Sequence, residues 1–350
     1  MRCIKYYTLF CLLPLMISCE SIIDIGNDDL GEVMVLNAQM CTSDSVHTVM
    51  LAYSKPEGIF PVAEGQVECY INGAIVAKSS TVDEQQEIPS IYGTSIQGYS
   101  LLHFAAHFNP GDEVCIKAYS GDISCEANVM VAQAPKLLDV HTIKCETDLD
   151  RETGIYKFEI SIEDIVNELN FYSLKLLDES YVQVIEADTF SDYHSGDILN
   201  AAMHEASVNN TQEPILNAGA GTISSYFDSG DSYFDNSLNL FTDYLFRDKS
   251  YTLTLYSTSP HDFNIKPNER CSGEVMKAYN IARVRLLNMS QEEYLYLVGC
   301  QFENSIESST YLTSDYIYPS NVVGGMGFVA ISSVTDYDIL ISTKEYNDNK

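Results

Sequence analysis

The sequence predicts a mostly-β protein. An N-terminal immunoglobulin-like β-sandwich is expected over residues 31–135, followed by a second β-rich domain over 136–345 with one or two short helices. Three observations predict this. From Val33 onward, apolar residues recur at every second position, the period of a half-buried strand. Turn pairs such as Asn72-Gly73 and Pro110-Gly111 punctuate those runs at short intervals. One stretch, Ser290-Gln291-Glu292-Glu293, carries a full helix-start signal.

The chain opens on residues that read as a leader. Arg2 and Lys5 precede an apolar run through Leu9, Leu12, Leu13 and Ile17, the pattern of a secretory signal over residues 1–18. The run is too brief to span ~30 Å of hydrocarbon, for which about 20 apolar residues are needed. Its end, Met16-Ile17-Ser18-Cys19, resembles a bacterial lipobox with Met16 at the usual Leu position. That resemblance implies cleavage before Cys19 and its lipidation, so the partner expected first is a lipid membrane. Residues 19–31, with Asp24, Asp28 and Asp29, read as an acidic tether.

Strands are expected from Val33 and from Val46, with Val67, Cys69 and Ile71 on one face of a third. Asn72-Gly73 favours a type I′ turn, because both central residues take positive φ, and leads into a strand carrying Ala74 and Val76. A long strand over 97–108 and a hairpin around Ser120-Gly121-Asp122 complete seven strands in about a hundred residues, a sandwich pattern. Ala134-Pro135 is the expected boundary.

The second part alternates again at Tyr156, Phe158, Ile160 and Ile162. Strands are expected at 171–177, 182–185, 251–255, 281–287, 326–332 and 337–343. The stretch 188–235 is polar and without period, the mark of a functional loop region. Asp235 is placed to cap a helix running to about Phe246. Ser290 as N-cap and Glu293 three residues on open a second helix through Tyr294, Leu297, Val298 and Gln301.

Composition narrows the function. A formal net charge of −31 repels phosphate backbones, so nucleic acid is not an expected partner. The same field opposes docking through a basic patch on anionic lipid. Beyond Cys3, Cys11 and Cys19, the cysteines are Cys41, Cys69, Cys115, Cys125, Cys145, Cys271 and Cys300, an odd set without a CxxC pair. Mostly reduced, buried thiols are expected, with a Cys115–Cys125 bridge left open. His103 and His107 read as a strand-face pair rather than metal ligands. Asp228, Asp231 and Asp235 surround Gly230 without EF-hand spacing. No nucleophile elbow, HExxH helix or Walker loop is present, so no enzyme, metal or cofactor is expected.

Binding residues are sought among loop tyrosines and glycines. Of 24 tyrosines, Tyr226, Tyr233, Tyr244, Tyr316 and Tyr318 fall in or near loops. Gly324, Gly325 and Gly327 beside Asn321 require positive φ or close backbone approach, as in a bulge or a ligand-facing turn. Tyr226, Tyr233, Asn321, Gly324, Gly325 and Gly327 form the candidate binding region.

Three segments carry a family resemblance. They are Phe241-Thr242-Asp243-Tyr244-Leu245-Phe246 with Lys249, then Val284-Arg285-Leu286-Leu287-Asn288-Met289-Ser290-Gln291-Glu292-Glu293-Tyr294-Leu295-Tyr296, then Pro319-Ser320-Asn321-Val322-Val323-Gly324-Gly325-Met326-Gly327-Phe328. In this order, behind a lipobox and a sandwich, they resemble the Bacteroidota lipoproteins catalogued as domain of unknown function 4249. The usual Gly before Lys249 is Asp248 here. The resemblance implies an outer-membrane lipoprotein on the periplasmic or cell-surface face, beside a TonB-dependent receptor, and no established activity. The expected function is a non-catalytic accessory or binding role. A structural or adhesive surface protein is the alternative, and a hydrolase is the least supported.

Overall fold

The computed structural model describes residues 32–80, 88–89, 95–96, 98–148, 153–166, 168–187, 194–210, 212–216, 236–257, 275–306 and 318–347. Its first part comprises β1 (Val33–Cys41), β2 (Val46–Lys55), β3 (Gly58–Pro61), β4 (Gln66–Ile71), β5 (Ala74–Ser79), the two-residue β6 (Ile88–Pro89) and β7 (Ser95–Ile96), β8 (Ser100–Ala105), β9 (Glu113–Ser120) and β10 (Ile123–Met130). Strand β2 pairs with β1, β3 and β8 in one sheet, and β10, β9, β4 and β5 lie side by side in another.

The two sheets enclose one apolar core. Met34, Leu36, Val49, Leu51 and Leu102 come from the first sheet, and Val67, Cys69, Val114, Ile116 and Ala127 from the second. Their every-second spacing is what turns these side chains to a common face, and each large one contributes about 1.5–3 kcal/mol on burial. Asn72 and Gly73 take φ of 50° and 80°, as a type I′ turn requires. Cys125 opposes Ala118 and faces the core, whereas Cys115 opposes Asn128 and is only half-buried. The two thiols therefore occupy opposite faces of the β9–β10 hairpin and cannot bridge.

The second part comprises β11 (Lys136–Asp148), β12 (Thr153–Glu163), β13 (Phe171–Glu186), β14 (Ile198–Glu205), β15 (Val208–Asn209), β16 (Leu240–Thr242), β17 (Ser250–Ser257), β18 (Val275–Met289), the helix α1 (Gln291–Ile306), β19 (Val322–Val323) and β20 (Val329–Asn347). Strands β11, β12, β17 and β15 form a small sheet over the inner face of β13, β18 and β20. Phe158, Ile160, Leu253 and Leu255 meet Leu174, Leu176, Val284 and Leu286 there.

Strand β20 joins the halves. Val329 to Ser332 pair in parallel with Ala38 to Cys41, and Ser333 onward pairs antiparallel with β18. One sheet thus runs from β14 through β13, β18, β20, β1 and β2 to β3. β19 adds to β10, so Val322, Val329 and Ile331 enter the N-terminal core.

Several expected boundaries shift. The strands expected at 171–177 and 182–185 are one, because Asp178–Tyr181 stays paired with β18 throughout. Those expected at 326–332 and 337–343 likewise merge into β20. The long strand expected over 97–108 is confined to Ser100–Ala105, which leaves His107 beyond it. The aperiodic stretch 188–235 contains β14, an outer strand on β13 whose residues are mostly exposed and therefore under no period-two constraint. The helix expected to run to Phe246 is absent over the described residues: Asn239 takes φ of 48°, Leu240–Thr242 pairs with β13, and only a 3-10 turn follows at Asp243–Leu245. Asp235, its expected cap, lies outside the described residues.

Candidate functional site

The three resemblance segments converge. Leu240 and Phe241 pair with Ser173 and Tyr172. Tyr172 packs on Phe241 with ring centroids 5.2 Å apart, and Phe171 packs on Tyr294 of α1 at the same separation. Tyr296, also on α1, stacks on Phe328, and Tyr318 lies 5.5 Å from Tyr296. An aromatic chain therefore links β16, the start of α1 and the glycine segment.

The glycine segment is threaded against β1. Met326 exchanges backbone hydrogen bonds with Met34 and Leu36, each 2.9 Å, and Ala38 N–H donates to Phe328 O. A Cβ on Gly325 would stand 2.6 Å from Met34 O. One on Gly327 would overlap Leu36 O and lie 2.7 Å from Asn37 Oδ1. Asn321 grips the backbone of Val329 on both sides, donating to its carbonyl at 2.6 Å and accepting from its N–H at 2.9 Å. Gly325 displays close backbone approach, and Gly327 displays it together with a positive φ of 117°. Gly324, with φ of 78°, is exposed beside Val323 and Met326.

A second cluster is buried beneath the first segment. Asn170 Nδ2 donates to Asp164 Oδ1 and to Asp243 Oδ2, 3.2 Å each, and Asn170 N–H donates to Asp243 Oδ2 at 3.0 Å. Tyr172 OH and Asp248 N–H also donate to Asp164. Burial pushes the Asp243 carboxyl up, bonds from Asn170 oppose this, and adjacent Asp164 adds to the rise. Asp248 sits at φ of 59°, a left-handed position that glycine adopts without strain.

This network holds a protruding turn. Phe246 N–H donates to Asp243 O, and Lys249 N–H donates to Phe246 O. Between these anchors, Tyr244 is 79% exposed and Leu245 55% exposed. The adjoining loop adds exposed Val166 and Leu169, and its Asp164 N–H is tied to Lys249 O. The result is an apolar knuckle on a rigid base.

Under α1, Ser290 Oγ accepts from Glu293 N–H at 3.1 Å, the capping bond that the sequence predicts. The reciprocal half of the box is replaced. The Glu293 carboxylate turns into the core, accepts from Ser332 Oγ at 2.9 Å and leaves Oε2 without a partner. Burial pushes its pKa up to about 7, with the Ser332 bond offsetting part of the rise.

Other features are bland. A cleft of about 590 Å³ at the sandwich end is lined by Glu64, Gln66, Tyr119 and Ser120 among others, far in sequence from the three segments. His103 lies on β8 and bonds Thr48 Oγ1 through Nδ1. Among the described residues, no group of three His, Cys, Asp or Glu side chains is placed to hold a metal, and no helix is long and apolar enough to cross a membrane. Cys19, Tyr226, Tyr233, Asp228, Asp231 and Tyr316 lie outside the described residues. Asp164 and Asn170 carry no local sequence signal: the stretch from Asp164 to Asn170 mixes Ile165, Val166 and Leu169 with polar residues.

Compared with known protein families, the chain matches the one described as Domain of unknown function (DUF4249) over residues 20–338. No curated protein matches it.

Proposed function

The chain belongs to the DUF4249 family, and from that premise we propose that it is a non-catalytic binding lipoprotein serving an outer-membrane transporter. In this reading Cys19 carries the lipid, residues 19–31 tether the folded body, and a TonB-dependent receptor is the partner. The observation that carries the binding role is the knuckle at Tyr244 and Leu245, exposed apolar side chains whose backbone is clamped from below. Clamping removes the ordering cost that a mobile loop would incur on association. A protruding Tyr beside a Leu has the aromatic-anchor character of binding hot spots. Gly324, with Val323 and Met326 beside it, is a second exposed element of the same surface class.

The test is affinity capture of the native lipidated protein from detergent-solubilised outer membrane across a salt series. A Tyr244→Ala/Leu245→Ser variant is run in parallel. A transporter retained by wild type and lost by the variant supports the proposal. Wild type that retains no partner at any salt concentration sinks it. The same partners on a folded double variant would remove the knuckle from the site.

One observation favours the structural or adhesive reading. Strand β5 is the outer strand of its sheet and exposes Ile75 and Val76, and exposed apolar edges pair with other chains. Lys78 and the bulge between Cys69 and Tyr70 counter that tendency. Concentration-dependent sedimentation distinguishes the two readings.

A further inference from the structure

Asp164 and Asp243 are both buried, and among the described residues neither has a Lys, Arg or His partner. Two ionised carboxylates held by the same Asn170 amide would repel in a medium that screens poorly. The hydrogen bonds assign the charge. Asp164 accepts at both oxygens: Tyr172 OH and Asn170 Nδ2 donate to Oδ1, and Asp248 N–H donates to Oδ2. Asp243 accepts only at Oδ2, from the N–H and Nδ2 of Asn170, and its Oδ1 has no donor. An acceptor-only carboxylate fits Asp164, and an acid with one oxygen free to carry hydrogen fits Asp243.

We propose that Asp164 and Asp243 share a single proton, carried on Oδ1 of Asp243, and that this proton latches the Tyr244–Leu245 turn to the body of the protein. Its effect on partner capture rests on the binding role proposed above; the latch itself does not. Loss of the proton to solvent base leaves two adjacent charges with only the Asn170 amide between them, so the turn loosens from its own anchor. The surrounding groups leave this balance intact. Tyr172 already donates to Asp164 and is itself pushed up by burial, then by the two carboxylates. Glu168, Arg247, Asp248 and Lys249 expose their side chains, and Glu213 is engaged by Tyr251 and Thr254.

The sign follows from the raised carboxyl of Asp243. Stability from the latch is fully present below the ordinary carboxylate pKa and is lost as pH rises through the folded value. The folding equilibrium should change by up to roughly tenfold per pH unit inside that window.

The experiment uses the full chain in a Glu293→Gln background, which removes the other carboxyl that burial pushes up. Infrared spectra should show a protonated carboxyl band at a pH where exposed acids are ionised, and Asp243→Asn should abolish it. Asn supplies Oδ1 to the Asn170 donors and an N–H to Asp164, so this variant should fold. At pH 8, trypsin should cut the turn after exposed Arg247 and Lys249 several-fold more slowly in Asp243→Asn than in its parent. Absence of the band in the parent, or its persistence in Asp243→Asn, overturns the shared proton. Equal cleavage of the two proteins overturns the latch. If both readouts hold and no partner is captured at any pH, the binding role fails while the latch stands.

Discussion

Tyr296 stacks on Phe328 with ring centroids 4.8 Å apart and planes 6° from parallel. This contact fastens the first turns of α1 to the end of the glycine segment, immediately before β20 enters its parallel pairing with β1. Ring stacking of this kind adds about 0.5–1.5 kcal/mol beyond the area buried. It also fixes the approach of the chain to β1, where backbone lies against backbone.

That approach leaves no room for a side chain. Gly327→Ala places a Cβ onto Leu36 O at φ of 117°, a region closed to L residues without strain. The expected loss is roughly 2–4 kcal/mol of unfolding free energy. Gly121→Ala is the control: its φ is 59° with nothing within 4 Å, so about 1 kcal/mol is expected. Equal urea midpoints for the two variants would refute the threading argument.

Which parts of this were legible beforehand depends on how local the causes are. Asn72-Gly73 and Ser290 act within four residues, so their turn and cap follow from spacing alone. The glycines announce close approach but cannot name Met34 and Leu36 as what they approach. Strands β11 and β14 have no clear period-two pattern of their own and are defined by their pairing with β12 and β13. Leu240–Thr242 carries no local strand signal because its pairing with β13 is non-local in sequence. Asp164 and Asp243 were invisible for the same reason, since neither flanking sequence encodes the other. Glu293 was half legible: its position as cap partner was right, and its carboxylate was drawn instead to Ser332.

Asn321 is predicted to be structural whatever else its surface does. Replacing it with Ala strips a donor and an acceptor from Val329, a fully buried residue. At about 1 kcal/mol net per bond, and more where a buried group is left unpaired, the expected cost is roughly 2–3 kcal/mol. Asn321→Asp keeps the acceptor but sets a carboxylate against Val329 O, so it should not rescue. Wild-type thermal stability in Asn321→Asp would show that the grip contributes little.

Anchoring is tested separately from folding. If Cys19 carries the lipid, two or more acyl chains hold the protein at the membrane, each buried CH₂ contributing about 0.8 kcal/mol. Cys19→Ala should then leave the protein unprocessed or release it into the soluble fraction, with its unfolding midpoint unchanged. Membrane retention of a correctly trimmed Ala variant would overturn the lipoprotein proposal.

The last prediction concerns pH. Glu293 is buried, and burial lifts its pKa from 4.5 to about 7. A carboxyl raised on folding stabilises the native state fully below about 4.5 and loses that contribution as pH climbs through about 7. Between those values the native state holds a proton that the unfolded chain has released, so the unfolding free energy must fall. The ceiling on this loss is about 3 kcal/mol, from 1.36 kcal/mol per pKa unit. Glu293→Gln keeps an acceptor for Ser332 Oγ and cannot ionise, so its unfolding free energy should be flatter over the same interval. The quantity to measure is the difference between the two urea curves from pH 4.5 to 8, because Asp243 contributes to both with the same sign. The variant should gain on wild type most steeply in the middle of that window and level off above pH 7. Curves that stay parallel would mean that the carboxylate of Glu293 is solvated or paired when charged, and that its surroundings are not as dry as its burial implies.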